Sequence, residues 1–90
     1  MKIKEEYILQ NIADKWVVID INARSVNFDR LLALNETGRF LWEQLAEGAP
    51  RDALAAALAE HFDIDRATAE QDTDRFLREL KELGCMEDEE

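Results

Sequence analysis

The apolar positions of this chain fall into two regimes. Residues 7–12 (Tyr7 to Ile12) and 15–21 (Lys15 to Ile21) are dense in β-branched and aromatic side chains, the composition of strands. Ala13 and Asp14 between them leave room for a two-residue hairpin turn, although neither is the glycine such turns favour. A second turn is expected over 22–25 and a third strand somewhere within 26–34. Asp29 and Arg30 interrupt that third apolar run, as a bulge or as the boundary of a separate short strand. The three strands are expected to form an antiparallel meander.

From Asn35 onward the period becomes helical. Leu34, Gly38, Leu41, Trp42 and Leu45 share one stripe, and Asn35 is placed to N-cap a helix by accepting from the backbone N–H of Thr37 or Gly38. Glu36 puts negative charge in the first turn, where the helix dipole favours it. Gly38 is a poor interior helix residue, so another backbone is expected to pack closely over it. The first helix is predicted over 36–46, stopped by Gly48 and Pro50. A second follows over 51–62, with Leu54, Ala57, Leu58 and Phe62 as its buried stripe. Asp63 or Asp65 is placed to cap a third helix over 66–83, whose stripe is Ala69, Thr73, Phe76, Leu80 and Leu83, with Leu77 on the flank and Gly84 closing it. The expected core is Leu34, Leu41, Trp42, Leu45, Leu54, Leu58, Phe62, Phe76 and Leu80. Phe40 lies nearly opposite the first helix's stripe and is expected to pack into the core or under the sheet, with a contact surface as the alternative. His61 sits at the edge of the second stripe, as a structural histidine.

Composition narrows this to a small α+β protein. Ninety residues, 47% apolar and 36% charged, suit one ordered domain over 1–90 with a single modest core. No apolar run approaches the ~18 residues that span a bilayer, and the first residues lack the apolar stretch of a secretory signal. Cys85 is the one cysteine, so no internal disulfide framework exists and a cytoplasmic location is expected.

Charge is distributed unevenly. Residues 1–34 balance Lys2, Lys4, Lys15, Arg24 and Arg30 against Glu5, Glu6, Asp14, Asp20 and Asp29, so the net charge of −10 belongs entirely to residues 35–90. The third helix carries Arg66, Arg75, Arg78 and Lys81 but also Glu70, Asp72, Asp74, Glu79 and Glu82. Without a basic face it is a poor reader of nucleic acid. Catalysis finds no constellation either: one His, one Cys, three Gly, and no nucleophile elbow, phosphate loop or metal-ligand spacing. Neither an enzyme nor a bound cofactor is expected. What remains is a binding module whose means are a strand edge, a helix face and the groove between them.

The segment Leu34-Asn35-Glu36-Thr37-Gly38 followed by Phe40-Leu41-Trp42 resembles the signature of the PqqD family, named for the pyrroloquinoline quinone synthesis protein D. The resemblance continues through Glu47-Gly48, Leu54 and Leu58, His61-Phe62-Asp63-Ile64-Asp65, Asp72, Phe76-Leu77, Leu80 and Leu83-Gly84, in order and with matching spacing. It implies three strands on a winged helix-turn-helix-like helical set. It also implies an adaptor that recognises the leader segment of a ribosomally made precursor peptide and presents it to a modifying enzyme. That enzyme is commonly of the radical-SAM class, with a leader peptidase as the alternative. On this reading the leader adds as a strand beside Phe28, Asp29, Leu31, Leu32 and Ala33, against a wall of Asp72, Arg75, Phe76 and Glu79. Arg75 and Glu79, four apart, offer both charge signs. Two other readings share the element order: a winged-helix DNA regulator, and a dimerisation module using Phe40 and the strand edge. With no peptide bound, a monomer in dilute solution with a weak tendency to homodimerise is expected, through that edge or by strand exchange at the 22–25 loop. No membrane partner is expected.

Overall fold

The computed structural model describes residues 3–22 and 32–86. Strands β1 (Tyr7–Ile12), β2 (Lys15–Asp20) and β3 (Leu32–Leu34) form an antiparallel sheet in the order β1-β2-β3. Helices α1 (Glu36–Ala46), α2 (Arg51–Phe62) and α3 (Arg66–Leu83) follow. The expected 22–25 turn beyond Asn22, the interruption at Asp29 and Arg30, and the acidic tail lie outside the described residues.

The hairpin turn sets the register of the whole sheet. Ile12 pairs with Lys15, and Ala13 and Asp14 both take positive φ, 52° and 66°, as the favoured two-residue hairpin turns require. Hydrogen-bonded and non-hydrogen-bonded pairs then alternate along an antiparallel ladder. The bond from Ile21 N to the Glu6 carbonyl (2.8 Å) fits that parity. Lys15, Val17 and Ile19 therefore bond towards β1, while Trp16 and Val18 bond towards Leu34 and Leu32 of β3. Ala33, opposite Val17, is left with its N–H and C=O turned outward.

The same alternation sorts the side chains. Val18 is 2% exposed and belongs to the core, against which Tyr7, Leu9, Leu32 and Leu34 also pack. Ile8, Ile12, Val17, Ile19 and Ala33 point to the opposite face of the sheet.

Each helix begins and ends for a local reason. Asn35 Oδ1 accepts from Gly38 N at 2.9 Å and from the Thr37 hydroxyl at 3.2 Å. Gly38 is needed because of side chains rather than a second backbone: a Cβ there would lie 3.3 Å from Leu34 and from the capping oxygen. Asp63 is not a cap for α3. It ends α2 in the left-handed region (φ 53°, ψ 48°), while Asp65 occupies the N-cap position of α3 without a side-chain bond. Gly84, at φ 85°, closes α3 with its N–H on the carbonyls of Leu80 and Lys81, the usual work of a C-terminal glycine.

Leu41, Trp42, Leu45, Leu54, Leu58, Phe76 and Leu80 are buried, whereas Leu34 and Phe62 are half-buried at the margin. In α2 the fully buried alanine is Ala55 rather than Ala57. Such a dense run of alanines leaves no sharp stripe to read. The Thr73 hydroxyl is also buried, with no partner among the described residues. Phe40 is half-buried and packs against the margin of the core. It stacks on His61 of α2 (centroids 4.4 Å apart, planes 16°) and meets the edge of Phe62 at 5.6 Å. Ile3, Cys85 and Met86 complete the core from the two ends of the chain. Ile3 bridges Met86, and Lys4 N donates to the Cys85 carbonyl at 2.7 Å. Burial pushes the Cys85 thiol up to about 11, so it behaves as a small apolar side chain.

Candidate functional site

β3 is an edge strand: among the described residues it pairs only with β2. Asn35 turns the chain directly from β3 into α1, and α3 lies alongside. Between them runs an open groove of about 340 Å³. Ala33, Leu34 and Asn35 line one side, Thr37, Gly38 and Leu41 of α1 the floor, and Asp72, Arg75, Phe76 and Glu79 the wall on α3.

Of the residues singled out from sequence, the groove brings together Ala33, Asp72, Arg75, Phe76 and Glu79. Leu32 belongs to β3 but bonds towards β2 and packs on the core instead. Phe28, Asp29 and Leu31 lie outside the described residues. Leu34, Asn35, Thr37, Gly38 and Leu41 were not among the site residues singled out from sequence, yet they line the groove. The signal for them was the absence of any loop between strand and helix, which forces the first turn of α1 against the strand edge.

The wall carries its charges in an arrangement different from the four-residue spacing. Arg75 Nη2 lies 3.3 Å from Asp72 Oδ1, three residues back, and both side chains remain partly exposed. Phe76 is 5% exposed, with its remaining surface at the groove. The groove thus offers an outward backbone donor and acceptor at Ala33, an apolar patch of Leu34, Leu41 and Phe76, and carboxylates at Asp72 and Glu79. Chemically it can hold an extended chain. No group of acidic, His and Cys side chains able to hold a metal occurs among the described residues. No described helix is long and apolar enough to cross a membrane.

An antiparallel sheet whose β3 edge is walled by the last of three helices defines a small α+β binding module. The chain belongs to the PqqD family: the family described as Coenzyme PQQ synthesis protein D (PqqD) matches residues 15–85. It is also similar to the solved structure of TbiB1 in complex with the TbiA(beta) leader peptide, with a TM-score of 0.78 and 26% identity. That similarity covers 100% of this chain and 99% of the other. No curated protein matches the sequence.

Proposed function

We propose that this protein is a non-catalytic adaptor that binds the leader segment of a ribosomally synthesised precursor peptide by strand addition and presents it to a modifying enzyme. The observation that carries the reading is the outward-facing N–H and C=O of Ala33 on an edge strand walled by α3. Membership of the PqqD family and likeness to a protein solved with a leader peptide support it. The groove site is Ala33 with Asp72, Arg75, Phe76 and Glu79, and Phe28, Asp29, Leu31 and Leu32 are proposed as further contacts of the leader.

Pairing geometry sets what the leader must be. The leader residue opposite Ala33 exchanges both backbone bonds and shares Ala33's face of the sheet. Its two neighbours share the face of Leu32 and Leu34, so their side chains enter the groove. One apolar side chain meets Leu34 and Phe76, and a cationic one two positions away suits Asp72 or Glu79. The receiving enzyme is of the radical-SAM class or a leader peptidase, and the exchange takes place in the cytoplasm.

Amide chemical shifts of labelled protein titrated with its leader peptide test the reading. Perturbations should centre on β3, the first turn of α1 and α3. Changes confined to residues 51–62 would refute it. Ala33→Pro removes the outward donor without touching the β2 ladder and should weaken binding about tenfold, in line with one strong hydrogen bond of ~1.4 kcal/mol. Leu32→Pro instead breaks a ladder bond and should lower stability as well. Charge reversal at Asp72 or Arg75 should change which leader is preferred more than it changes the melting temperature.

A further inference from the structure

Past Ala33 the edge strand changes its chemistry. Asn35 is the next residue of the same parity, and its backbone is still extended (φ −80°, ψ −174°). Its N–H and C=O would therefore continue the outward row. The carbonyl is already engaged: it accepts the Arg39 N–H at 2.9 Å and begins α1. A strand added at β3 thus exchanges a full pair of backbone bonds at Ala33 and meets an occupied acceptor one rung further on.

Two side chains stand at that rung, for Asn35 and Thr37 both line the groove. Their polarity follows from what they touch. The Asn35 atom 2.9 Å from the Gly38 N–H must be an acceptor, so it is Oδ1, and the amide nitrogen Nδ2 occupies the other arm. The Thr37 hydroxyl lies 3.2 Å from that same oxygen. A carboxamide oxygen carries no hydrogen, so the hydroxyl donates and keeps its own lone pairs. Neither Nδ2 nor those lone pairs has a partner among the described residues.

We infer that Asn35 and Thr37 together bind the backbone of one leader residue, two along from the residue paired with Ala33. Asn35 Nδ2 donates to its carbonyl, and Thr37 Oγ1 accepts its N–H. The inference rests on the adaptor reading and extends the ladder by one rung, with the Thr37 hydroxyl standing in for the engaged Asn35 carbonyl. What is recognised is extended backbone, so the rung adds affinity without narrowing the leader's side chains. Capping alone needs only an oxygen, which Asp or Ser supplies as well as Asn. The amide nitrogen is the part of Asn35 that capping leaves over.

The probe is a peptide selected from a random displayed library and shown by amide shifts to bind along Leu32–Leu34. Asn35→Asp and Asn35→Ser keep the cap, so their melting temperatures should stay within about 4 °C of the parent protein. Calorimetric titration should show both binding the peptide about tenfold more weakly. Thr37→Val, which lacks the acceptor, should lose a similar factor. Backbone ester replacement along the peptide, which deletes one N–H at a time, separates recognition from structure. One ester that weakens binding to the parent should have no effect on binding to Thr37→Val, while the ester at the residue paired with Ala33 should weaken both. Asn35 variants that bind as tightly as the parent would overturn the inference and leave the adaptor reading intact. Ester effects identical in the parent and Thr37→Val would do the same. A parent protein to which no library peptide binds along β3 would overturn the adaptor reading, and this inference with it.

Discussion

Ala13 is held at a φ of 52°, where an L side chain costs about 1–2 kcal/mol. The hairpin uses it because a two-residue turn with positive φ at both positions matches the twist of the flanking strands. Replacing the pair with the residues that tolerate this region, Ala13→Asn with Asp14→Gly, should stabilise the protein by about 1 kcal/mol, a rise of roughly 4–8 °C for a domain of this size. Thermal melts of the two proteins measure it, and an unchanged midpoint would mean that the turn stores no strain. Cys85 is the converse case, a residue at ease where it sits. Fully buried and with its thiol pushed up to about 11, it is a piece of the core rather than a reactive group.

Among the elements, α2 and α3 are tied at the surface by Arg51. Its guanidinium reaches both carboxylate oxygens of Asp74 at 2.9 Å, with Glu70 at 3.3 Å and Asp52 at 3.0 Å. Those bonds hold the Asp74 carboxyl below the usual carboxylate range and raise Arg51 above its own. A carboxylate depressed in the folded state contributes stability above its unfolded value of about 3.9 and loses it as pH falls through the folded value. Arg51→Ala should therefore lower the melting temperature slightly at pH 7, and the gap between the two proteins should close in strong acid. A gap that stayed constant with pH would rule out the ion pair as its source. The helices that this clamp joins were legible in the sequence because Asn35, Gly48, Pro50 and Gly84 punctuate them with local chemistry. The carboxylates and Phe76 of the groove wall were legible for a similar reason, a helical period plus the family signature. Local patterns could not supply the rest. The burial of Ile3 depends on a partner more than eighty positions away, Met86, and no window of sequence contains both. The role of Ala33 depends on the parity of a ladder counted from the hairpin turn, not on anything in its side chain. That Phe40 packs at the core margin was expected, but its ring partners, His61 and Phe62, come from α2 and lie in no common window with it.

At the scale of the whole molecule, the groove at β3 and the acidic helices share α3, while the outer sheet face lies on the opposite side of the sheet from the helices. The element order had also left open a DNA-reading helix. Arg51 and Arg66 are each engaged by carboxylates, Arg66 by Glu70 at 3.4 Å, which further weakens any basic field. The bridge between Ile3 and Met86 has a separate, topological consequence. Directly opposed residues of an antiparallel pair stand about 5 Å apart, so the described chain is nearly a closed ring with one nick. Where that nick falls is then an accident of chain order rather than a demand of the packing. A circular permutant that joins residue 86 to residue 3 by a short Gly/Ser linker and reopens between Gly48 and Ala49, in the turn between α1 and α2, should keep the native helical content and a single cooperative unfolding transition. A permutant that collapsed without cooperative melting would show that synthesis order, and not only the finished contacts, matters to this fold.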